Sequence, residues 1–108
     1  MVIDALWPDT EQDTEQDVEA GVFEDLEPRY KVFIHNDDVT PMDFVVLVLQ
    51  KIFELNSLEA EHVMLTAHIT GMAYVTTLPL TEAQKRVGKA HFAASLEGYP
   101  LMFTIEPE

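Results

Sequence analysis

The segment between residues 30 and 42, YKVFIHNDDVTPM, constrains the fold of this chain more than any other. Residues Tyr30–His35 alternate in the manner of a half-buried strand. The strand pattern stops at the polar residues 36–38, Asn-Asp-Asp, and Thr40-Pro41 then supplies residue types that begin helices. The chain therefore has to pass from a strand into a helix within one short turn that carries three acceptor-rich side chains. Recognition residues are often placed on such turns between rigid elements.

Hydrophobic periodicity predicts the helices and strands in the rest of the chain. The elements predicted after the first strand are helices over residues 41–55, 58–70 and 81–97 and strands over residues 72–78 and 101–106. Thr40 is predicted to cap the first helix, Gly71 to end the second, and a capping box at 81–84 to begin the third. The order β-α-α-β-α-β predicts an α+β domain in which a three-stranded antiparallel sheet packs against three helices.

Negative charge is concentrated at the N-terminus. Residues 1–28 contain ten of the 20 acidic residues and none of the six basic ones, which leaves a net charge of −4 for residues 29–108. Segments that combine one sign of charge with few apolar residues tend to be disordered. Glu27-Pro28 ends this segment, because the residue before a proline favours an extended conformation. We therefore predict a flexible acidic extension over residues 1–28 and a folded domain over residues 29–108.

The overall composition excludes several classes of function. An excess of acid argues against nucleic acids and anionic membranes as partners, because both attract clustered Lys and Arg. The chain has no cysteine, which rules out disulfides and suits a reducing cytosol. It contains no run of about 18 apolar residues, and its N-terminus lacks the pattern of a signal peptide. We expect a cytoplasmic, monomeric domain.

Taken singly, the polar residues have ordinary structural explanations. Asn and Asp are common turn residues, and a single His on a helix is more often hydrogen-bonded than a ligand. A metal site built from His35, Asp37, Asp38 and His68 is weakly supported, because no pair has a helical ligand spacing such as His-x-x-x-His. The sequence has neither a glycine-rich phosphate loop nor a nucleophile in a recognisable setting. No cofactor is therefore expected, and no catalytic motif is recognisable in these residues.

Four motifs, taken together, are more specific. They are Asn-Asp-Asp-x-Thr-Pro-Met-x-Phe-Val from residue 36, Met-Leu-x-x-His from residue 64, Gly-Tyr-Pro-Leu from residue 98 and Thr-x-Glu-Pro from residue 104. In this order and spacing, over residues 29–108, the chain resembles ClpS, the family of adaptors of the ATP-dependent Clp protease. The resemblance implies a non-enzymatic adaptor that binds substrates by a free, bulky hydrophobic N-terminal residue (Leu, Phe, Tyr or Trp). It also implies delivery of those substrates to a hexameric Clp ATPase of the ClpA or ClpC type.

The resemblance assigns roles to particular residues. It implies that Asn36, Asp37 and His68 hold the substrate α-amino group. The residues that it implies for the side-chain pocket are Asp38, Thr40, Met42, Val45, Met64, Ala67 and Leu101. Ala67 stands where a Val is common in the family, and the smaller side chain predicts a wider pocket that favours Trp and Tyr over Leu.

At the start of the third helix the family often has Glu-x-Ala-x-x-Lys, a pattern that contributes to docking on the ATPase. Here Thr81 replaces the Glu and Arg86 replaces the Lys. Glu82, Lys85 and Arg86 are the docking residues that the resemblance suggests, and a solvated helix face is the alternative explanation of the first two.

Two other functions stay open at this point. The predicted order of elements is shared with the C-terminal domain of the ribosomal stalk protein, which is a general protein-interaction domain. That domain has no reason to keep Asn36, Asp37 and His68 together. A small metal-dependent hydrolase would need a water-activating constellation that the sequence does not provide.

Overall fold

The structure is a computed structural model that describes residues 26–108, so the predicted acidic extension lies outside the described residues up to residue 25. The elements, in chain order, are β1 (Arg29–His35), α1 (Met42–Lys51), α2 (Ser57–Thr70), β2 (Met72–Pro79), α3 (Leu80–Leu96) and β3 (Met102–Pro107). The predicted α+β class and the order β-α-α-β-α-β are therefore confirmed.

Strand β1 is the centre of the sheet. It pairs in antiparallel fashion with both other strands, in the order β2-β1-β3. His35, the last residue of β1, lies opposite Met72 at the start of β2 and Met102 at the start of β3. The segments that follow β1 and precede β2 and β3 consequently meet at one end of the sheet. The opposite end is marked by the pairing of Arg29 with Pro79.

The core lies between one face of this sheet and the helices. Val32 and Ile34 of β1 are 0% and 1% exposed, as the alternation of strand side chains between two faces predicts. Helix α3 faces the core with three alanines, Ala83, Ala90 and Ala94, all of which are buried. Small side chains on this face let the helix backbone approach the sheet closely.

The predicted beginning and end of the first helix are both wrong. Helix α1 starts at Met42, with Pro41 at the N-cap position and no side-chain cap. Thr40 does not cap it, because its hydroxyl donates instead to Asp37 Oδ2 at 2.9 Å. The helix ends at Lys51 rather than near Leu55, and Glu54 has a positive φ of 60°, which is incompatible with a continuing α-helix.

The predicted capping box at the start of the third helix is also wrong. Helix α3 begins at Leu80, and both the backbone N–H and the hydroxyl of Thr81 donate to Glu27 Oε1 at 2.7 Å. A true capping box occurs on α2, where the side chains of Asn56 and Glu59 each accept the other's backbone N–H. The predicted role of Gly71 is confirmed, because it ends α2 in the left-handed conformation with φ 96°.

Candidate functional site

A cavity of about 300 Å³ opens at the end of the sheet where β1 stops. Its walls come from residues 34–42, from the first turn of α1, from the C-terminal half of α2 and from the residue before β3. All ten residues that the sequence assigned to amine binding or to the side-chain pocket line this one cavity: Asn36, Asp37, Asp38, Thr40, Met42, Val45, Met64, Ala67, His68 and Leu101. The structure thus brings together side chains that are up to 65 positions apart in the chain.

Helical spacing explains why α2 contributes three side chains. Met64, Ala67 and His68 are separated by three and four positions, and such residues are neighbours on one helix face. Ala67 is buried at 3% exposure, Met64 is half-buried and His68 is exposed. These three side chains therefore form a row that runs from the core outward and ends with the imidazole of His68 at the rim of the cavity.

A backbone hydrogen bond fixes the distance between two walls of the cavity, the polar turn after β1 and helix α2. The N–H of Asn36, directly after β1, donates to the carbonyl oxygen of Gly71 at 2.9 Å. Gly71 is the residue that ends α2, so this bond holds the polar turn against the helix that carries His68. Because the left-handed φ of Gly71 is readily adopted only by glycine, the position of the helix end depends on that residue type.

The carboxylate of Asp37 organises the polar turn. Its Oδ1 accepts the backbone N–H groups of Val39 and Thr40 at 2.8 and 2.7 Å, and its Oδ2 accepts the Thr40 hydroxyl at 2.9 Å. A carboxylate has about four lone-pair sites, so three are used within the turn and one remains on Oδ2. Asp37 therefore shapes the turn and still has acceptor capacity on Oδ2.

These hydrogen bonds keep Asp37 charged. Burial by itself would raise the pKa of this carboxyl, but the N–H groups of Thr40 and Val39 and the Thr40 hydroxyl outweigh burial and hold the pKa below its usual value. A full negative charge is consequently present in the cavity wall at neutral pH.

The cavity has an apolar base and a polar rim. Val45, Ala67 and Leu101 are buried at its base, whereas Asn36, Asp38 and His68 are exposed around its mouth. Of the two methionines, Met42 is exposed at 44% and Met64 is half-buried. Such a site can bury an apolar group and pair a polar one beside it.

Sequence reasoning missed four residues that also line the cavity: Ile34, His35, Val39 and Pro41. All four belong to the segment 30–42, so their position in the chain was the available signal. Val39 is 62% exposed at the turn and lines the mouth of the cavity. The His35 ring lies 2.7 Å from the Thr104 hydroxyl, between Nε2 and Oγ1.

The residues suggested for ATPase docking lie elsewhere. Arg86 contacts Glu82 through Nε at 2.7 Å and Glu54 through its terminal nitrogen at 3.3 Å, and it also reaches the Ile52 carbonyl oxygen at 3.4 Å. These contacts tie α3 to the irregular segment that follows α1. Lys85, in contrast, is exposed.

Residues 26–108 contain neither a metal-binding cluster nor a membrane-spanning helix. No group of three or more His, Asp or Glu side chains in this range is arranged to hold a metal ion. No helix of the described part is both long and apolar enough to cross a bilayer.

The fold and the cavity are those of a small binding domain, and comparison with known proteins identifies its family. Residues 25–104 match the sequence profile of the ATP-dependent Clp protease adaptor protein ClpS. The chain is 43% identical over 79 residues to ClpS 2 of Mesorhizobium japonicum, a match that covers 73% of this chain and 78% of that protein. It is 39% identical over 100 residues to ClpS of Nitratidesulfovibrio vulgaris, which covers 92% and 97%.

A solved structure agrees with the sequence matches. Agrobacterium tumefaciens ClpS2, bound to L-phenylalaninamide, superposes with a TM-score of 0.72 at 40% identity, over 75% of this chain and 98% of that one. The chain belongs to the ClpS family of adaptors of the ATP-dependent Clp protease.

The lowered pKa of Asp37 predicts a pH dependence of stability. A carboxyl whose pKa is lower in the folded than in the unfolded chain stabilises the fold fully above its unfolded pKa of about 3.9, and this contribution is lost as the pH falls through the folded pKa. We expect Asp37→Asn to reduce the free energy of unfolding at pH 7 by about 1 kcal/mol. The difference from wild type should shrink below about pH 4, as measured by urea unfolding across pH. Asp38→Asn, in the same turn, is the matched control, and an equal effect there would contradict the assignment.

Proposed function

We propose that this protein binds the free N-terminus of polypeptides whose first residue is Leu, Phe, Tyr or Trp. It then delivers them, as a non-enzymatic adaptor, to a hexameric Clp ATPase of the ClpA or ClpC type. The observation that supports this most is a cavity in which a charged, acceptor-rich rim adjoins an apolar base. An unmodified N-terminal residue has the matching combination of a charged amine and an apolar side chain.

In this proposal Asn36, Asp37 and His68 hold the α-amino group. An α-ammonium has a pKa of about 7.7–8.0, so it is largely charged at neutral pH, and it offers three donors. Asp37 supplies a negative charge and the remaining acceptor site on Oδ2, Asn36 an amide oxygen, and His68 a ring nitrogen, directly or through water. An acetylated terminus lacks the charge and leaves at least one acceptor unpaired.

The first side chain enters the apolar base of the cavity. Burying a Leu or Phe side chain contributes about 1.5–3 kcal/mol. Met42 and Met64 flank this space, and flexible thioether side chains can adapt to flat rings and to branched Leu. A β-branched Ile or Val would place a methyl group against the mouth, so it binds weakly. The bound L-phenylalaninamide of the Agrobacterium relative, which combines a free amine with an aromatic side chain, supports the same arrangement.

The remaining assignments belong to the same proposal. The domain over residues 29–108 binds the substrate, and the acidic extension over residues 1–28 assists delivery. Glu82, Lys85 and Arg86 contribute to docking on the ATPase. The adaptor acts as a cytoplasmic monomer and requires no cofactor. Micromolar affinity, about −8 kcal/mol, suits an adaptor because delivery requires release.

Fluorescence anisotropy of labelled peptides tests the proposal directly. A peptide that begins with free Phe should bind with micromolar affinity, and its N-acetylated and Met-first forms should bind at least about 30-fold more weakly. For the acetylated form, that ratio corresponds to the lower end of the 2–5 kcal/mol cost of unpairing a buried charge. The Met-first form keeps the free amine and tests the first side chain instead. His68→Ala should weaken the Phe peptide similarly. His62→Ala is the matched control, because His62 is exposed on the same helix and does not line the cavity. Equal binding of all three peptides would refute the proposal.

A second prediction concerns the width of the pocket. Ala67 lies at the base of the cavity with only 3% of its surface exposed, so Ala67→Val adds two methyl groups to the space for the first side chain. We expect the variant to lose affinity for Trp-first and Tyr-first peptides relative to Leu-first ones. Titration of Leu-first, Phe-first, Tyr-first and Trp-first peptides against the wild type and Ala67→Val measures these affinities. An unchanged ranking of the four affinities would contradict the prediction.

A third prediction separates docking from stability on α3. Arg86 has two carboxylate partners and a carbonyl contact, so Arg86→Ala should lower the free energy of unfolding by about 1 kcal/mol. Lys85→Ala should change stability by less than about 0.5 kcal/mol but weaken association with the ATPase. Urea unfolding and binding to the isolated ATPase N-domain are the two measurements. If Lys85→Ala binds the ATPase as well as the wild type does, Lys85 is not part of the docking surface. That outcome would not bear on the proposed peptide site.

A further inference from the structure

A second cavity, of about 320 Å³, lies between α2 and β2. Its volume is close to the 300 Å³ of the first cavity, but no residue lines both. On α2 it is lined by Glu59 and by residues three, four and seven positions further on, which share one face of the helix: His62, Val63 and Thr66. The opposite wall is formed by residues 73–75 of β2.

The second cavity has an apolar floor and a charged rim. Val63, Ala73 and Val75 are buried at its floor, whereas Glu59 is exposed beside it. The capping box of α2 orients the carboxylate of Glu59, because its Oε1 accepts the N–H of Asn56 at 2.9 Å. That bond uses one of about four lone-pair sites, so the carboxylate can also accept from a ligand. The cavity can thus take one bulky apolar side chain with a cation beside it.

Strand β2 has a free edge beside this cavity, because it is an outer strand of the described sheet. The bond from the Asn36 N–H to the Gly71 carbonyl oxygen continues the ladder between β1 and β2, whose register is regular as far as Tyr74. Successive residues of an antiparallel strand direct their N–H and C=O groups alternately toward and away from one neighbour. Met72 and Tyr74 therefore direct theirs away from β1. The Met72 carbonyl oxygen accepts the Thr70 hydroxyl at 2.8 Å, in agreement with this alternation.

A strand added at this edge would place its side chains where the second cavity lies. Neighbouring strands run about 4.8 Å apart, and their side chains alternate between the two faces of the sheet. Because Ala73 and Val75 point toward the helices, the helix-facing side chains of an added strand enter the space between β2 and α2. Tyr74 also lines the cavity, although its ring packs against Phe33 at 6.1 Å on the other face of the sheet. The cavity therefore extends to the edge of β2.

We propose that the edge of β2 and the second cavity bind an internal, extended segment of a partner polypeptide as an additional strand. The segment pairs with the backbone of Tyr74, inserts a bulky apolar side chain into the second cavity and places a Lys or Arg beside Glu59. It needs no free N-terminus, so this site is independent of the first cavity. A second copy of the chain fits less well, because its β2 would offer Ala73 and Val75, which are already buried in its own core.

Backbone amide shifts of the full chain test this site with a peptide whose N-terminus is blocked. The probe is N-acetyl-Lys-Thr-Phe-Thr-Val-Thr-Lys-amide, in which Phe and Val share one face of an extended chain. We expect saturable shifts at residues 59–66 and 73–75, with a Kd below about 1 mM. Shifts confined to Asn36 and His68 would place the peptide in the first cavity and overturn the proposal, as would a lack of saturable shifts.

Backbone pairing is tested with the same peptide N-methylated at its three central residues. This peptide keeps every side chain but loses the N–H donors of those residues, so it should bind at least about tenfold more weakly. Equal binding of the methylated and unmethylated peptides would overturn the addition of a strand.

A cavity-filling variant locates the site independently. Thr66 is half-buried in the second cavity, and its hydroxyl donates to the His62 carbonyl oxygen of its own helix. Thr66→Phe therefore fills the cavity without removing a tertiary hydrogen bond, and it should weaken the acetylated peptide at least about tenfold. Ile69→Phe is the matched control, because Ile69 is exposed on α2 and lines neither cavity. Unchanged affinity in Thr66→Phe, or equal losses in both variants, would overturn the proposal.

The cation beside Glu59 is tested by removing the charge alone. Glu59→Gln keeps a residue type that serves in capping boxes, and it should weaken the lysine-containing peptide by about twofold to fivefold. Glu61→Gln is the control, because Glu61 is exposed on the same helix and does not line the cavity. Equal weakening by both variants would overturn the placement of the cation.

Sedimentation of the full chain distinguishes the remaining occupant, a second copy. We expect no dimer that Thr66→Phe abolishes. A concentration-dependent dimer that the acetylated peptide dissociates would make the second copy the occupant and overturn the proposal. Because the acetylated peptide begins with Lys and has no free amine, a negative result in these measurements leaves the proposed function untouched.

Discussion

The carboxylate of Asp37 is the group on which the candidate site depends. By accepting two backbone N–H groups and one hydroxyl, it converts the segment after β1 into a closed turn that delivers the chain into α1. The same bonds keep the carboxyl ionised although burial opposes ionisation. One side chain thus sets the shape of the cavity wall and supplies its negative charge. In the proposed function, this dual use means that the amine meets an acceptor that is already oriented, which limits the entropy lost on binding.

The sheet supplies the second constraint. Because β1 is central and antiparallel to both neighbours, the end of β1 and the beginnings of β2 and β3 meet at one edge. The bond between Asn36 and Gly71 then holds the polar turn against the end of α2. The cavity is formed at this junction of rigid elements, so its dimensions follow from strand pairing and helix packing rather than from a long loop.

The beginning of α3 lies at the other end of the sheet from the cavity. Arg29 pairs with Pro79 at that end, and six residue steps along β1, about 20 Å at 3.3 Å per residue, separate it from His35. The cavity proposed for substrate recognition and the docking residues suggested at the beginning of α3 are therefore spatially distinct, which would allow an adaptor to hold a peptide and contact a partner together. The ion pairs of Arg86 and the contact of Glu27 with Thr81 stabilise the same end of α3.

Local sequence patterns determined the type and order of all six elements, because strand alternation and helical periodicity are set by neighbours a few positions apart. The family motifs likewise named ten residues that line the cavity. Two of the errors concern threonines whose hydroxyls pair with other groups, a neighbour three positions away for Thr40 and a distant residue for Thr81. Thr40 and Thr81 both have side chains that are suited to capping a helix. The hydroxyl of Thr40 instead donates to Asp37, and the hydroxyl of Thr81 donates to Glu27, 54 positions away. The end of α1 and the partners of Arg86 depend in the same way on how the segment after α1 packs against α3. Tertiary structure decided the partner of Thr81, the end of α1 and the partners of Arg86, because a hydrogen-bonding group pairs with the acceptor that the fold brings near it, whatever the separation in sequence.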